Sequence, residues 1–212
     1  MNSKNQLQRE IEVKLDLESF TNYLKFVGFI GQLDNEVRQV NCFFDTEDGV
    51  LSGSGWALRV RTEAQTGLVT LKGDNSGSDK VAIRDEIEAS IPFEIAGDVI
   101  ALKHDILDLD IAPIVYVKEK FGQISLARLV RFENHRQRKE FQLGDHTYTL
   151  EVDTTTYSDG SVGYELEVEL PDEDRLDGVL NDLRRMFSSL SIPFTHQTTS
   201  KFARALKRVG EF

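Results

Sequence analysis

The chain has 212 residues, 40% of them hydrophobic and 29% charged, so we expect one folded domain over residues 1–212 rather than a disordered chain. The net charge of −11 argues against nucleic acid as the main partner, and the single cysteine, Cys42, excludes an internal disulfide and a multi-cysteine zinc site. The apolar runs are too short to cross a bilayer and the N-terminal "MNSKNQLQREIE" lacks an apolar signal region, so we expect no membrane partner and a cytoplasmic location.

Alternation of apolar and polar residues predicts eight strands, separated by segments rich in turn-forming residues. We expect strands at about residues 10–16, 37–45, 55–63, 67–73, 83–90, 130–142, 145–153 and 162–170. Helical spacing predicts helices at about 17–29, 94–107, 112–121, 172–190 and 200–209. Strands joined by short turns favour an antiparallel sheet, so the predicted fold is α+β or a barrel.

The polar faces of these strands carry charges that are sorted by sign. Two acids and a base share a face in "REIEVKL", two arginines in "WALRVRTE", and three glutamates in "YELEVEL". Like charges two residues apart on one face repel each other, so an ordinary solvated sheet gives no reason to cluster them. A closed barrel gives one, because its lumen would hold the charges while amphipathic helices cover its apolar outer face.

Sorted charge inside a low-dielectric wall suits a ligand that carries both signs. A polyphosphate bound with a divalent cation is such a ligand. Arginine and lysine bind phosphate oxygens, and clustered carboxylates bind hard ions such as Mg²⁺ or Mn²⁺. The sequence therefore predicts a small-molecule polyphosphate site that contains a metal ion.

Seven motifs, in order along the chain, resemble those of the CYTH superfamily, the triphosphate tunnel metalloenzymes. They are "EIEVK", "NCFFDTEDGVLSGSGWALRVR", "TLKG", "RDEIE", "FENHRQRKEF", "LEVDTTTY" followed by "YELEVEL", and "SKFARAL". The resemblance implies an eight-stranded antiparallel β-barrel, the triphosphate tunnel, with a charged lumen and flanking amphipathic helices.

The resemblance also implies roles for individual residues. The phosphate-binding bases would be Lys14, Arg59, Arg61, Lys72, Arg136 and Lys201, with Arg138 as a further candidate, and the metal-binding acids would be Glu10, Glu12, Asp153, Glu165 and Glu167. Glu86 would hold a second metal or the attacking water, with Glu88 beside it, so the expected catalytic set is Glu86, Glu88, Lys14, Arg59 and Arg136. Alternation alone points Arg84 into the barrel, and it leaves the direction of Arg131 open.

The implied activity is metal-dependent hydrolysis of a triphosphate to phosphate and a diphosphate, and the motifs most resemble those of plant-type and bacterial inorganic tripolyphosphatases. Thiamine triphosphatase and class IV adenylyl cyclase remain alternatives, as does a binding module for polyphosphate or nucleotide without turnover. Animal thiamine triphosphatases carry a tryptophan where this chain has Ala57. Trp56 is one residue away, and in a regular strand it points away from Arg59, which disfavours a thiamine-stacking role. We expect a monomer or homodimer.

Overall fold

The structure is a computed structural model that describes residues 8–209. Its strands are β1 (Gln8–Asp16), β2 (Asn35–Asp45), β3 (Ala57–Glu63), β4 (Thr66–Lys72), β5 (Ala82–Pro92), β6 (Ala127–Leu143), β7 (His146–Thr156), β8 (Val162–Glu169) and β9 (Thr195–His196). Its helices are α1 (Phe20–Ile30), α2 (Val50–Gly53), α3 (Phe93–Ile100), α4 (Ala112–Phe121), α5 (Leu176–Ser189) and α6 (Lys201–Val209), with short 3₁₀ helices at Ile106–Asp108 and Glu173–Arg175. No helix in this described range is long and apolar enough to span a membrane.

Strands β1 to β8 form a closed antiparallel barrel in the order β5-β4-β3-β2-β6-β7-β8-β1. The barrel closes where Gln8–Glu12 of β1 pairs with Ala82–Glu86 of β5. The other edge of β1 pairs with β8, and the short β9 joins β1 outside the barrel, next to Leu15 and Asp16. The predicted α+β fold with an eight-stranded antiparallel barrel is confirmed.

The apolar faces of the strands point outward and are covered by helices. One core packs β1, β7 and β8 against α1 and α5, with Phe26 and Phe187 fully buried in it. A second core packs β3, β4 and β5 against α3 and α4. Because these apolar residues alternate with the charged ones, the charged face is left to line the interior of the barrel.

Helix α6 packs over part of the barrel interior. Its Phe202 stacks on Phe43 of β2 with ring centroids 4.4 Å apart, and Ala205 joins the same buried cluster with Phe132 and Tyr157. This contact places the first turn of α6 next to the charged interior.

The predicted helix at 94–107 is wrong in its second half. Helix α3 ends at Ile100, and Leu102 adopts a positive φ of 60° that no helix continues through. The Asp105 side chain then accepts a hydrogen bond from the Leu107 amide at 2.9 Å and starts a separate 3₁₀ turn. Periodicity did not reveal this break because the apolar residues on both sides of it pack into the same core.

Other differences are local. Helix α1 begins at Phe20 rather than near residue 17, because Ser19 accepts a hydrogen bond from the Asn22 amide and caps the helix. The unpredicted helix α2 forms within an expected turn, where the buried Asp45 carboxylate accepts hydrogen bonds from the Leu51 and Ser52 amides at 2.8 and 2.9 Å. The two-residue strand β9 is too short to produce a periodic signal.

Candidate functional site

The barrel interior holds a cavity of about 520 Å³, lined largely by charged side chains. Alternation turns every second residue of each strand toward the barrel interior, where this cavity lies. Twelve of the residues singled out in the sequence line it: Glu10, Glu12, Lys14, Arg59, Arg61, Lys72, Arg84, Glu86, Glu88, Arg136, Glu167 and Lys201. The sequence therefore identified a set of residues that the fold brings together from six strands and one helix.

Four residues singled out in the sequence lie elsewhere. Asp153 and Glu165 are buried in the wall rather than exposed to the cavity. Arg138 lines a different cavity, toward the β6–β7 hairpin, and its Nε donates to Glu151 Oε1 at 2.8 Å. Arg131 lies among exposed residues outside the barrel, where its Nη2 donates to Glu133 Oε1 at 2.8 Å.

A compact acidic cluster lies in the wall beside α6. Asp153, Glu165 and Glu167 offer carboxylate oxygens within 4.8 Å of one another. The Lys201 ammonium lies among them, 2.8 Å from both Asp153 Oδ2 and Glu167 Oε1 and in ion-pair contact with Glu165. A cation supplied by the chain itself therefore lies among these three carboxylates.

Two arginines complete the charge balance of this cluster. Arg136 binds Asp153 with two hydrogen bonds, Nε to Oδ1 at 2.8 Å and Nη2 to Oδ2 at 2.6 Å, and also contacts Glu167. Arg204, which the sequence reasoning missed, donates to Glu165 at 2.5 Å. The cluster is thus an internally neutralised network that holds α6 to the barrel.

The direction of the pKa shifts agrees with that balance. Burial alone would raise the pKa of the Asp153 carboxyl, but Arg136 and Lys201 outweigh it and hold that pKa well below its usual range. Burial likewise opposes the shift at Glu167, where Lys14, Lys201 and Arg136 lower the pKa. Burial would lower the pKa of Lys201, yet its three carboxylate neighbours raise it. All three groups are therefore charged at neutral pH.

A second group of acids faces the open cavity, where Glu12 is paired with Lys14, Glu10 with Lys72 and Glu151 with Arg138. Glu12 of β1 lies directly opposite Glu169 of β8, and Glu10 and Glu151 also line the cavity. Glu169 makes no ion pair with any residue in the range 8–209. Burial together with Glu10, Glu151 and Glu12 raises its pKa. Like charges directly opposite each other are unfavourable, so a cation bound next to these carboxylates would reduce their repulsion.

On the other side of the cavity, positively charged arginine side chains lie close together. Arg61 donates from Nε to Asn41 Oδ1 at 3.0 Å and lies 3.5 Å from Glu63. Burial, and then the neighbouring Arg59 and Arg136, lower the pKa of Arg61 to about 9. Arg59 has a buried Nε without a hydrogen-bond partner. An anion placed between these guanidinium groups would relieve both conditions.

Glu86 and Glu88 lie on β5 beside these two charged regions. Lys72 contacts Glu86 and lies 3.1 Å from Glu10 Oε2, so it links β4, β5 and β1. Burial would raise the pKa of Glu86, but Lys72 lowers it overall. Glu88 Oε2 accepts a hydrogen bond from the Thr70 hydroxyl at 2.7 Å, and its side chain is 41% exposed to the cavity.

Several residues that lie at the site had no role predicted from the sequence. Glu151 and Glu169 share the strand faces of assigned acids, so alternation could have identified them. Arg204 lies three residues after Lys201, on the same side of α6. Asn41 and Asn134 also line the cavity, but nothing in their local sequence distinguished them.

Trp56 lies at the rim of the cavity, just before β3 begins. Its ring contacts Tyr116 of α4 at a centroid distance of 5.0 Å, and the Lys120 ammonium lies 4.7 Å from its centroid. It also lines the cavity, together with Phe202 of α6. Trp56 is therefore a rim residue whose ring is partly covered by α4.

Solved structures with the same architecture include two proteins of related length. A candidate adenylyl cyclase from Hippeastrum, described as revealing a dominant triphosphatase activity, shares 26% identity with a TM-score of 0.81, over 95% of this chain and 96% of that one. A candidate adenylate cyclase from Bacillus halodurans shares 20% identity with a TM-score of 0.68, over 92% of this chain and 97% of that one. The second likeness shows the fold alone.

None of the curated proteins compared with this chain matches it significantly. The model of the CYTH domain matches residues 8–205, which is nearly the whole chain. The match includes all eight barrel strands and most of α6. The chain therefore belongs to the CYTH domain family.

Proposed function

We propose that this chain is a metal-dependent hydrolase that cleaves the terminal phosphoryl group of a triphosphate, with inorganic tripolyphosphate as the preferred substrate. One observation carries the proposal: the crowded Arg59 and Arg61 face a row of glutamates that includes Glu169, which has no ion pair within residues 8–209, across one cavity of about 520 Å³. A triphosphate with a divalent cation satisfies both walls at once. A ligand of one sign would satisfy only one.

The phosphate oxygens are assigned to the basic wall. Arg59 and Arg61 are adjacent inward residues of β3, and Asn41 holds the second guanidinium in place. Lys14 and Lys72 reach the cavity from β1 and β4. Arg136 and Lys201 are already engaged by Asp153 and Glu167, so we assign them to shape the wall and to offer their remaining N–H groups to substrate.

The metal is assigned to the open acidic wall. Carboxylate oxygens are the donors that Mg²⁺ and Mn²⁺ prefer, so the residues present fit such an ion. Glu10, Glu12 and Glu169 would hold it, with Glu167 at the edge of the group. When bound, the ion supplies a Lewis acid that offsets the charge developing on the phosphoryl oxygens. We assign Asp153 and Glu165 a supporting role instead, because both are buried in the wall without lining the cavity and Lys201 lies between them.

The water molecule is assigned to the β5 glutamates. Its oxygen attacks the terminal phosphorus in line with the bridging P–O bond, which breaks and leaves phosphate and diphosphate. A carboxylate with a lowered pKa, such as Glu86, can orient a water molecule by accepting its hydrogen bond, but it is a weak base. Glu88 is more exposed, and the cation paired with it, Arg59, lies 3.9 Å away, so we assign it to receive the proton.

Inorganic tripolyphosphate is favoured over a triphosphate with an organic group because charged and amide side chains make up most of the lining. The dominant triphosphatase activity described for the Hippeastrum protein supports hydrolysis over cyclisation. The aromatic lining residues Trp56 and Phe202 favour a second candidate, a triphosphate whose aromatic leaving group stacks on one of them, as in thiamine triphosphate or ATP.

A substrate panel tests the proposal. The protein is incubated with tripolyphosphate, thiamine triphosphate and ATP, each with Mg²⁺, Mn²⁺ or EDTA, and phosphate, diphosphate and cyclic AMP are quantified. We expect the highest kcat/KM for tripolyphosphate and no turnover in EDTA. Faster turnover of an organic triphosphate would establish the second candidate, cyclic AMP with diphosphate would establish a cyclase, and binding without turnover would establish a binding module.

A further inference from the structure

A second, smaller cavity opens through the side of the barrel next to Lys14. One edge of β1 pairs with β5 as far as Glu12 and with β9 from Leu15, so no strand covers the edge between them. The β4–β5 loop (residues 73–81) and residues 197–200 border this gap instead. They enclose a side cavity of about 150 Å³, lined by Lys14, Asn75, Gly77, Ser78, Asp79, Lys80, Val81, Ala82, Arg84, Gln197, Thr198 and Ser200.

The side cavity is basic in an acidic protein. Lys14, Lys80 and Arg84 line it, and Asp79 is its one acidic residue. Neither Lys80 nor Arg84 forms an ion pair with any residue in the described range. Lys14 is already paired with Glu12 and Glu167, so two unpaired cations, Lys80 and Arg84, stand against one acid. In a chain with a net charge of −11, this local excess of positive charge points to a small oxyanion as the ligand.

The loop that forms this cavity is held by its own hydrogen bonds. Asn75 Oδ1 accepts from the Gly77 amide at 3.0 Å and from the Ile83 amide at 2.9 Å. A side chain at Gly77 would place its Cβ 2.1 Å from the Val81 carbonyl oxygen, so only glycine fits there. The site is therefore pre-shaped, and its volume far exceeds the roughly 15 Å³ that one water needs.

The side cavity adjoins the main one. Lys14, Asn75, Arg84 and Ser200 line both, so a group held at Lys14 can pass from one cavity to the other along a basic surface. We propose that the side cavity is a phosphate subsite, formed by Arg84 and Lys80, that receives the orthophosphate released by hydrolysis. The proposal rests on the function proposed above, since hydrolysis is what supplies the phosphate.

The side cavity could also bind a phosphoryl group that belongs to the substrate. A linear polyphosphate longer than three units would present a fourth phosphoryl group to the side cavity while three occupy the main one. The shared ligand is a phosphate group. Product inhibition and chain-length preference separate the two sources.

The test uses Lys80→Glu, which changes a residue of the side cavity that does not line the main one. Lys103→Glu is the matched control, because Lys103 is exposed, lines neither cavity and gives the same change in net charge. Three quantities are measured for each protein: the inhibition constant of inorganic phosphate, kcat/KM for tripolyphosphate and for tetrapolyphosphate, and phosphate binding by ³¹P NMR titration.

We expect the inhibition constant for phosphate to rise roughly fivefold or more in Lys80→Glu, with kcat on tripolyphosphate unchanged and the control matching the wild type. A selective loss of kcat/KM on tetrapolyphosphate would identify the longer chain as the ligand and still support the subsite. Equal phosphate affinity and equal chain-length preference in both variants would overturn it. The NMR titration needs no turnover, so it still tests the subsite if the proposed hydrolase activity is absent.

Discussion

Replacing Arg204 with methionine tests whether the buried network beside α6 holds the site together. The Arg204 Nε donates to the Tyr157 hydroxyl at 2.8 Å, Nη1 donates to the Thr199 carbonyl at 2.7 Å, and Nη2 donates to Glu165. Its side chain is only 15% exposed, and that of Glu165 is 3% exposed. Methionine keeps much of the aliphatic contact but removes all three donors and the charge.

The expected cost follows from what is left behind. Breaking a buried ion pair by removing one partner costs about 3–5 kcal/mol, because the other charge stays buried. Lys201 still contacts Glu165, so the lower end of this range, about 3 kcal/mol, applies. For a domain of this size, each kcal/mol lowers Tm by roughly 2–4 °C, so the melting temperature should fall by roughly 6–12 °C.

The assay is thermal unfolding followed by circular dichroism, together with turnover measured well below the variant's melting temperature. Lys207→Met is the control, since Lys207 is exposed on the same helix and makes no side-chain contact among those that hold Glu165. Arg204→Lys should recover part of the stability, because lysine keeps the charge but not the forked geometry. A melting temperature for Arg204→Met within 1 °C of the Lys207→Met value would contradict this role of Arg204.

Three further predictions concern the two walls and the outer core. Arg61→Ala should raise KM for tripolyphosphate at least roughly tenfold with a smaller change in kcat, measured by initial rates, because its guanidinium is assigned to substrate oxygens. Glu169→Gln should weaken Mn²⁺ binding roughly tenfold, as measured by electron paramagnetic resonance titration, whereas Glu133→Gln on the outer surface should not. Burial raises the pKa of the Cys42 thiol to about 11, against about 8.5 in the unfolded chain, so the stability gained by burying a neutral thiol is complete below pH 8.5 and is lost as pH rises toward 11. Cys42→Val should therefore flatten the fall in unfolding free energy between pH 8.5 and 10.5, and an equally steep fall in that variant would contradict the assignment.

The strand pattern predicted the residues inside the barrel because strand alternation is a local property. Arg59, Arg61 and Lys72 face inward because their strands alternate strictly and their apolar neighbours meet α3 and α4 outside. The same rule would have placed Glu169 beside Glu167. What alternation cannot supply is how far along the barrel axis each residue lies, which depends on the stagger between strands. Arg138 faces inward by alternation, yet it belongs to another cavity for this reason.

The division of the acids into two groups could not be predicted from the strands. Among residues 8–209, Asp153, Glu165 and Glu167 form the tightest carboxylate cluster, and alone they would suggest the metal position. Helix α6 changes that assignment, because it returns from the end of the chain and inserts Lys201 among them. The contact joins residues 34 or more positions apart, and no periodicity in either segment reports it.

The end of α3 could not be predicted from apolar spacing either. An apolar pattern continues from Val99 to Ile106, and both residues are buried in one core. The turn between them depends on the positive φ of Leu102 and the side-chain cap of Asp105, which are invisible to a count of apolar spacing.

The proposed activity is hydrolysis of a triphosphate in this cavity with a bound metal ion. Its most direct measurement is the release of phosphate from tripolyphosphate in Mg²⁺ or Mn²⁺, followed after addition of EDTA and again after excess metal is restored. We expect phosphate and diphosphate in equal amounts, an arrest in EDTA, and recovery with metal in the wild type. Absence of phosphate release with every metal tested, or release that continues unchanged in EDTA, would contradict it.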